Sequence, residues 1–139
     1  MDVEIEEVKV FIKGQECVRV AYLFGSYAKG KAGPLSDFDI AVLLDGCLGE
    51  RESFDLRLRL INGISSILKT DKLDVVVMNE APLLLNYNIL REGRILDSKD
   101  ELERVMFETH ILSRYLDRRY YDERYVKMGI KRIAEKGIL

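Results

Sequence analysis

The segment GSYAKGKAGPLSDFDI, residues 25–40, contains the residues best suited to phosphate and metal chemistry. It ends with Asp37 and Asp39, two positions apart at the start of a hydrophobic run. On a β-strand such residues point to the same face and lie roughly 6.6 Å apart along the strand, so both carboxylates can reach ions between them. Their oxygens favour Mg2+ or Mn2+. Without a cation, two such charges about 4 Å apart would repel by ~4 kcal/mol at an effective dielectric constant of about 20.

A third carboxylate, Asp74, lies near the start of the hydrophobic run KLDVVVM, which has the composition of a strand. If that strand lies beside the one that contains Asp37 and Asp39, all three carboxylates can face the same ions. The pair Asp-x-Asp alone is weak evidence, because a turn residue followed by a charged residue on an edge strand gives the same pattern.

The first half of the segment, residues 25–32, suggests a competing interpretation as a phosphate-binding P-loop. In a P-loop, the glycines and lysine are followed by a Ser or Thr whose hydroxyl binds magnesium, and a helix begins there. Here Ala32 has no hydroxyl, and Pro34 disfavours helical geometry at Gly33. The P-loop interpretation therefore fails on the chemistry of its last position.

Gly25 and Ser26 directly follow the strand-like run CVRVAYLF. A glycine allows the backbone to approach a phosphate closely, and a serine hydroxyl can hydrogen-bond to one. Gly-Ser, ten residues and Asp-x-Asp thus place a phosphate anchor and metal ligands at consecutive strand ends. With Lys29 after the serine and Asp74 on a later strand, the pattern resembles the signature of the minimal nucleotidyltransferases of the polymerase-beta-like superfamily. The likeness covers residues 17–80 closely and the helical remainder loosely.

This resemblance implies a fold and a reaction. The fold would be α/β (α+β), a small mixed β-sheet with helices packed on it and a C-terminal helical extension. The residues assigned to nucleotide binding are Gly25, Ser26, Lys29 and Ser36. The residues assigned to catalysis and to Mg2+ or Mn2+ binding are Asp37, Asp39 and Asp74. ATP would donate AMP to an acceptor hydroxyl, and Lys29, where arginine is common in the family, would lose the bidentate fork that binds phosphate.

Composition places the chain among globular proteins and excludes several other classes. It has 47% hydrophobic and 33% charged residues and a net charge of −2, unlike a strongly basic nucleic-acid-binding protein. Cys17, Cys47 and the single His110 offer neither zinc-ligand spacing nor a disulfide framework. No apolar run reaches about 18 residues, and the N-terminus MDVEIEEVKV is too acidic for a signal peptide. We therefore expect a cytoplasmic protein that binds neither membrane nor nucleic acid directly.

Hydrophobic periodicity predicts alternating helices and strands. The predicted helices are 3–13, 50–69, 82–91, 100–120 and 122–136, and the predicted strands are 17–24, 37–44, 72–78 and 94–97. Residues 1–98 would form the nucleotidyltransferase domain and 99–139 its helical extension. Two helix faces are predicted from spacing: Phe54, Leu58, Ile61, Ile64 and Leu68 as a buried stripe, and Leu102, Val105, Met106, Leu112 and Leu116 along one face of a later helix.

The acceptor is harder to predict from the residues. Only about 40 residues follow the predicted nucleotidyltransferase domain, too few for the template-binding or RNA-binding domains of larger superfamily members. Small members resembling this chain are antitoxins paired with a HEPN-domain toxin, and some adenylylate a tyrosine of that toxin. We therefore expect a hetero-oligomer with a cognate HEPN toxin. Two alternatives remain, an enzyme that modifies a small molecule such as an aminoglycoside and a toxin-binding protein without turnover.

Overall fold

The computed structural model describes residues 2–30, 33 and 37–136. The helices are α1 (Asp2–Lys13), α2 (Glu50–Leu68), α3 (Leu83–Glu92) and α4 (Glu101–Glu135), and the strands are β1 (Val18–Phe24), β2 (Phe38–Leu44), β3 (Leu73–Val77) and β4 (Arg94–Ser98). Within this part of the chain, no helix has the length and apolar character needed to cross a bilayer.

The four strands form one mixed sheet in the order β3-β2-β1-β4. β1 pairs antiparallel with both β2 and β4, whereas β2 and β3 are parallel. A parallel pair needs a crossover connection, usually a helix, and α2 provides it. The mixed sheet with helices packed on it confirms the predicted α+β fold class.

Helices cover both faces of the sheet, and alternate residues of the central strands point to opposite cores. Ile40 and Val42 of β2 join a cluster with Ile12 of α1 and Leu60 of α2. Ala41, between them, joins a second cluster that includes residues of β1 and α3, namely Val20, Tyr22 and Ile89. Asp39 therefore lies on the same sheet face as Ala41, the face that carries α3 and α4.

The predicted buried stripe of α2 is partly wrong. Leu56, Leu60 and Ile64 are the buried residues of this helix, whereas Phe54 is 56% exposed and Leu58 is 42% exposed. The reason is the contact with α1. A Cβ at Gly63 would overlap the ring of Phe11, so the face turned to α1 and the sheet is the one that contains Leu60, Gly63 and Ile64.

The C-terminal region is one helix of 35 residues rather than the two predicted. The Asp100 side chain caps it by accepting hydrogen bonds from the backbone N–H groups of Leu102 and Glu103. Neither proline nor glycine stands at the predicted break, and the ion pair between Arg119 and Glu123 (3.1 Å) spans it.

The apolar residues predicted to line one face of this helix are exposed rather than packed. They are Leu102, Val105, Met106, Leu112 and Leu116. The buried residue of α4 is Ile111, and α4 is also held to β1 by a hydrogen bond from the Tyr22 hydroxyl to Glu108 (2.8 Å). The helix therefore packs on the sheet through its other side and presents an apolar surface outward.

Candidate active site at the ends of three strands

The turn after β1 is built from Gly25 and the residues that follow it. Gly25 has a φ of +72°, in the left-handed region that glycine adopts at little cost, and its carbonyl accepts a hydrogen bond from the backbone N–H of Lys29 (3.2 Å). The Tyr27 ring stacks on that of Phe38 (centroids 3.8 Å apart). The Ala28 carbonyl accepts a hydrogen bond from Arg94 Nε (3.0 Å). The turn that carries Ser26 is thus fixed to β2 and to β4.

Gly25 lies directly against Asp39. A Cβ at Gly25 would overlap Asp39 Oδ2 and lie 3.2 Å from Asp39 Cγ. The close approach follows from strand pairing, because Phe24 is the β1 residue opposite Asp39. Only glycine leaves this carboxylate in its observed place.

Asp39 and Asp74 are neighbours on adjacent strands. They are register partners in the parallel pair of β2 and β3, and adjacent strands lie about 4.8 Å apart. Partial burial raises the pKa of Asp39, with further contributions from the negative charges of Asp74 and Asp37. Asp39 therefore lies in an acidic, partly desolvated cluster in which a positive charge would be stabilised.

The outer carboxylate, Asp74, is 59% exposed and has a cationic neighbour. Arg57 Nη2 of α2 lies 3.8 Å from Asp74 Oδ1. Arg57 Nε donates a hydrogen bond to the carbonyl of Val75 (2.8 Å), which fixes the base of the guanidinium on β3. Arg57 is therefore placed beside Asp74 by a contact with the backbone of the same strand.

The Lys29 side chain forms an ion pair with a residue of α3. Its Nζ lies 2.9 Å from Glu92 Oε2 at the end of α3. Arg91 also pairs with Glu92 (2.9 Å), and hydrogen bonds from Lys29 and then Arg91 lower the pKa of Glu92. The lysine that sequence analysis assigned to the nucleotide is thus paired with a carboxylate.

The carboxylates suit a metal that also binds substrate oxygens. Among residues 2–30, 33 and 37–136, no three acidic, His or Cys side chains converge closely enough to hold an ion alone. Mg2+ is usually bound by one or two carboxylates together with substrate phosphates and water, not by a complete protein cage. The acidic cluster around Asp39 meets that requirement.

The structure brings most of the predicted site residues to one end of the sheet. Gly25, directly after β1, lies against Asp39 of β2, Asp39 is the register partner of Asp74 of β3, and Asp37 immediately precedes β2. Ser36, and Ala32 of the P-loop alternative, lie outside the described residues.

Two neighbours of the site were not predicted. Arg57 and Glu92 reach it from α2 and α3, and each is distant in sequence from the residue it contacts. Both are charged helix residues that are partly exposed, 38% for Arg57 and 32% for Glu92. Many solvated side chains share that pattern, so no local signal distinguishes them.

Comparison with known proteins agrees with the fold and the motif. The family pattern described as "Polymerase beta, Nucleotidyltransferase" matches residues 6–102. The protein adenylyltransferase MntA of Aphanizomenon flos-aquae (strain 2012/KM1/D3) is 30% identical over 105 residues, which cover 68% of this chain and 67% of MntA.

Two solved toxin–antitoxin structures share the fold. One, described as a toxin–antitoxin with AMP-PNP, has a TM-score of 0.69 at 24% identity and covers 91% of this chain and 98% of its own. The other contains a tri-AMPylated HEPN toxin of Shewanella oneidensis with its MNT antitoxin, and matches with a TM-score of 0.63 at 21% identity, covering 91% and 98%. The family match spans more than half of this chain, so the chain, which is similar to the protein adenylyltransferase MntA, belongs to the polymerase-beta nucleotidyltransferase family.

Proposed function

We propose that this chain is a Mg2+- or Mn2+-dependent nucleotidyltransferase that transfers AMP from ATP to a hydroxyl of a protein. The acceptor we propose is a tyrosine of a cognate HEPN-domain toxin, which the chain silences as an antitoxin. The observation that carries the proposal is the contact of Gly25, in the turn after β1, with Asp39 of β2, which pairs in register with Asp74 of β3. It places a glycine turn suited to phosphate against carboxylates suited to a cation.

The turn after β1 would hold the β- and γ-phosphates of ATP. Gly25 brings the backbone close to them, the Ser26 hydroxyl donates a hydrogen bond, and Lys29 supplies positive charge once it exchanges Glu92 for a phosphate oxygen. Ser36 is the fourth residue proposed for the nucleotide. These groups would bind the part of ATP that leaves as pyrophosphate.

Asp37, Asp39 and Asp74 would hold the metal ions. The bound metal neutralises phosphate charge and the charge that develops on the leaving group. Asp74, the outermost of the three carboxylates, would also accept the proton of the acceptor hydroxyl. The acceptor oxygen then bonds to the α-phosphorus, while the bond from the α-phosphorus to the oxygen that bridges the α- and β-phosphates breaks. AMP is thereby transferred to the acceptor, and pyrophosphate leaves.

The outward face of α4 supports a protein partner. Leu102, Leu112 and Leu116 are 69%, 46% and 51% exposed, and contiguous exposed apolar surface on a protein marks an interaction site. The similar MntA is a protein adenylyltransferase, and a structural neighbour is an antitoxin bound to an AMPylated HEPN toxin. We therefore place the toxin against α4, as a hetero-oligomer.

The test compares ATP labelled at the α-phosphate with ATP labelled at the γ-phosphate. Each is incubated with the chain, Mg2+ and a lysate of the source cell, and the products are separated by mass. We expect label from the α-position alone on one protein, and no label with Asp39→Asn. Label from the γ-position alone would refute nucleotidyl transfer. α-Label on a small molecule would instead support the alternative acceptor class.

A further inference from the structure

A groove of about 660 Å3 lies along the outer edge of β3. β3 is a terminal strand of the sheet, and residues 74–77 form the floor of the groove. Ser53, Phe54 and Arg57 of α2 line one wall, and Pro82 and Leu85 at the start of α3 line the other. Asp74 is part of this lining, so the groove is continuous with the proposed catalytic site.

The order of the strands determines the side from which an acceptor must approach. In an in-line displacement, the attacking and leaving oxygens lie on opposite sides of the phosphorus. The proposed phosphate turn follows β1, the proposed metal ligand Asp39 is on β2, and the third carboxylate, Asp74, is on β3, the next strand outward. If pyrophosphate leaves on the side of β1, the acceptor oxygen must enter on the side of β3, where the groove lies.

We propose that this groove binds the acceptor as an extended peptide segment, with the reacting hydroxyl at Asp74 and the adjacent residues along β3. This inference rests on the proposed function. Residues 74–77 of a strand span about 10 Å, which accommodates roughly three residues of an extended segment. A small acceptor would leave most of that length unused.

The lining indicates the kind of segment that fits. Phe54 is 56% exposed, so an apolar side chain has a surface to cover there. The charged lining residues are Glu50, Asp74, Glu80 and Arg57, three negative charges and one positive charge, for a local net charge of −2. The occupant is therefore a segment with apolar and basic residues beside its hydroxyl.

Arg57 limits how the segment can bind. Its Nε already donates a hydrogen bond to the Val75 carbonyl. That carbonyl is one of the backbone groups through which a fifth strand would pair with β3. Side chains on the two walls, rather than strand addition, would therefore hold the segment. The same arginine lies 3.8 Å from Asp74 Oδ1. It therefore places a positive charge beside Asp74, at the end of the groove nearest the proposed catalytic site.

The experiment measures AMP transfer from α-labelled ATP to three probes. They are the peptide Gly-Arg-Val-Tyr-Val-Arg-Gly, the same peptide with glutamate in place of arginine, and tyrosinamide. We expect the basic peptide to react at least about tenfold faster than tyrosinamide, because binding along the groove accelerates transfer. We also expect it to react several-fold faster than the acidic peptide.

A pair of variants on one helix tests the groove itself. Phe54→Ala should lower kcat/KM for the basic peptide by about tenfold, while ATP binding and the rate with tyrosinamide stay unchanged. The control is Leu58→Ala, a substitution of another exposed apolar residue of α2 outside the groove lining, which should change neither rate. Both residues are exposed, so neither variant threatens the fold, and ATP binding reports that directly.

The outcomes separate this inference from the proposed function. Tyrosinamide labelled as fast as the basic peptide, or Phe54→Ala matching Leu58→Ala, would overturn the groove while leaving nucleotidyl transfer intact. Wild-type protein that binds ATP and labels none of the three probes would count against the proposed acceptor chemistry, and with it against the groove.

Discussion

Replacing Gly25 with alanine should damage transfer far more than it damages the fold. The substitution has two consequences that can be estimated separately. The left-handed φ of +72° costs a non-glycine residue about 1–2 kcal/mol. The new Cβ would also overlap Asp39 Oδ2, and Asp39 must retreat by about 1 Å to restore an ordinary contact. A misplacement of that size in a catalytic group costs ~100-fold in rate.

Gly30→Ala is a matched control for the cost of placing a non-glycine residue at a positive φ. Gly30 lies in the same turn with a φ of +69°, but a Cβ there would meet nothing within 4 Å. Both variants should therefore lose about 1–2 kcal/mol in the free energy of unfolding. Gly25→Ala alone should lose about two orders of magnitude in transfer.

The assay pairs urea denaturation of each variant with the kcat/KM for AMP transfer from α-labelled ATP. Equal transfer by the two variants would refute the reasoning, since it would mean that the position of Asp39 does not limit the reaction. Equal but large losses would point to the conformation of the turn rather than to the carboxylate.

Three further outcomes follow from the contacts of the site. Asp39→Asn should abolish transfer yet raise the free energy of unfolding in EDTA at pH 7. The folded pKa of Asp39 is raised, so its ionised form destabilises the folded state, and this difference between variant and wild type should shrink as the pH falls through that pKa. Glu92→Gln should lower the Kd for ATP, measured by calorimetry, by up to about fivefold, because it frees Lys29 from its carboxylate partner and ion pairs near the surface are weak. A higher Kd would mean that Glu92 orients Lys29. Tyr22→Phe should cost about 1 kcal/mol in urea denaturation, because it removes the hydrogen bond to Glu108 (2.8 Å), and should leave transfer unchanged.

Sequence alone was sufficient for features whose signals are local. Gly25 directly after a β-branched and aromatic run marks a strand end, and the run after Asp39 marks the next strand. Strand alternation then puts Asp39 on one face of β2 while Ile40 points to the opposite core. The adjacency of Asp39 and Asp74 depended on the resemblance as well, because the pairing of β2 with β3 has no local signal.

Features that depend on tertiary packing could not be predicted. The spacing of apolar residues alone does not show which side of α2 faces the sheet. The close contact of Gly63 with Phe11 of α1 determines that side. The expected break near Tyr121 had no helix-breaking residue behind it, and α4 continues through it. The pairing of Lys29 with Glu92 joins side chains 63 positions apart, which no spacing rule reveals.

The acidic cluster gives a reason why metal and nucleotide should bind together. Asp39 is disfavoured in its charged form by burial and by the charges of Asp74 and Asp37, so these carboxylates repel one another when no cation is bound. No three described side chains complete a cage for an ion, and a cation alone would keep much of its water. A triphosphate alone would bring four negative charges to the same carboxylates. Each ligand therefore removes the main cost of binding the other.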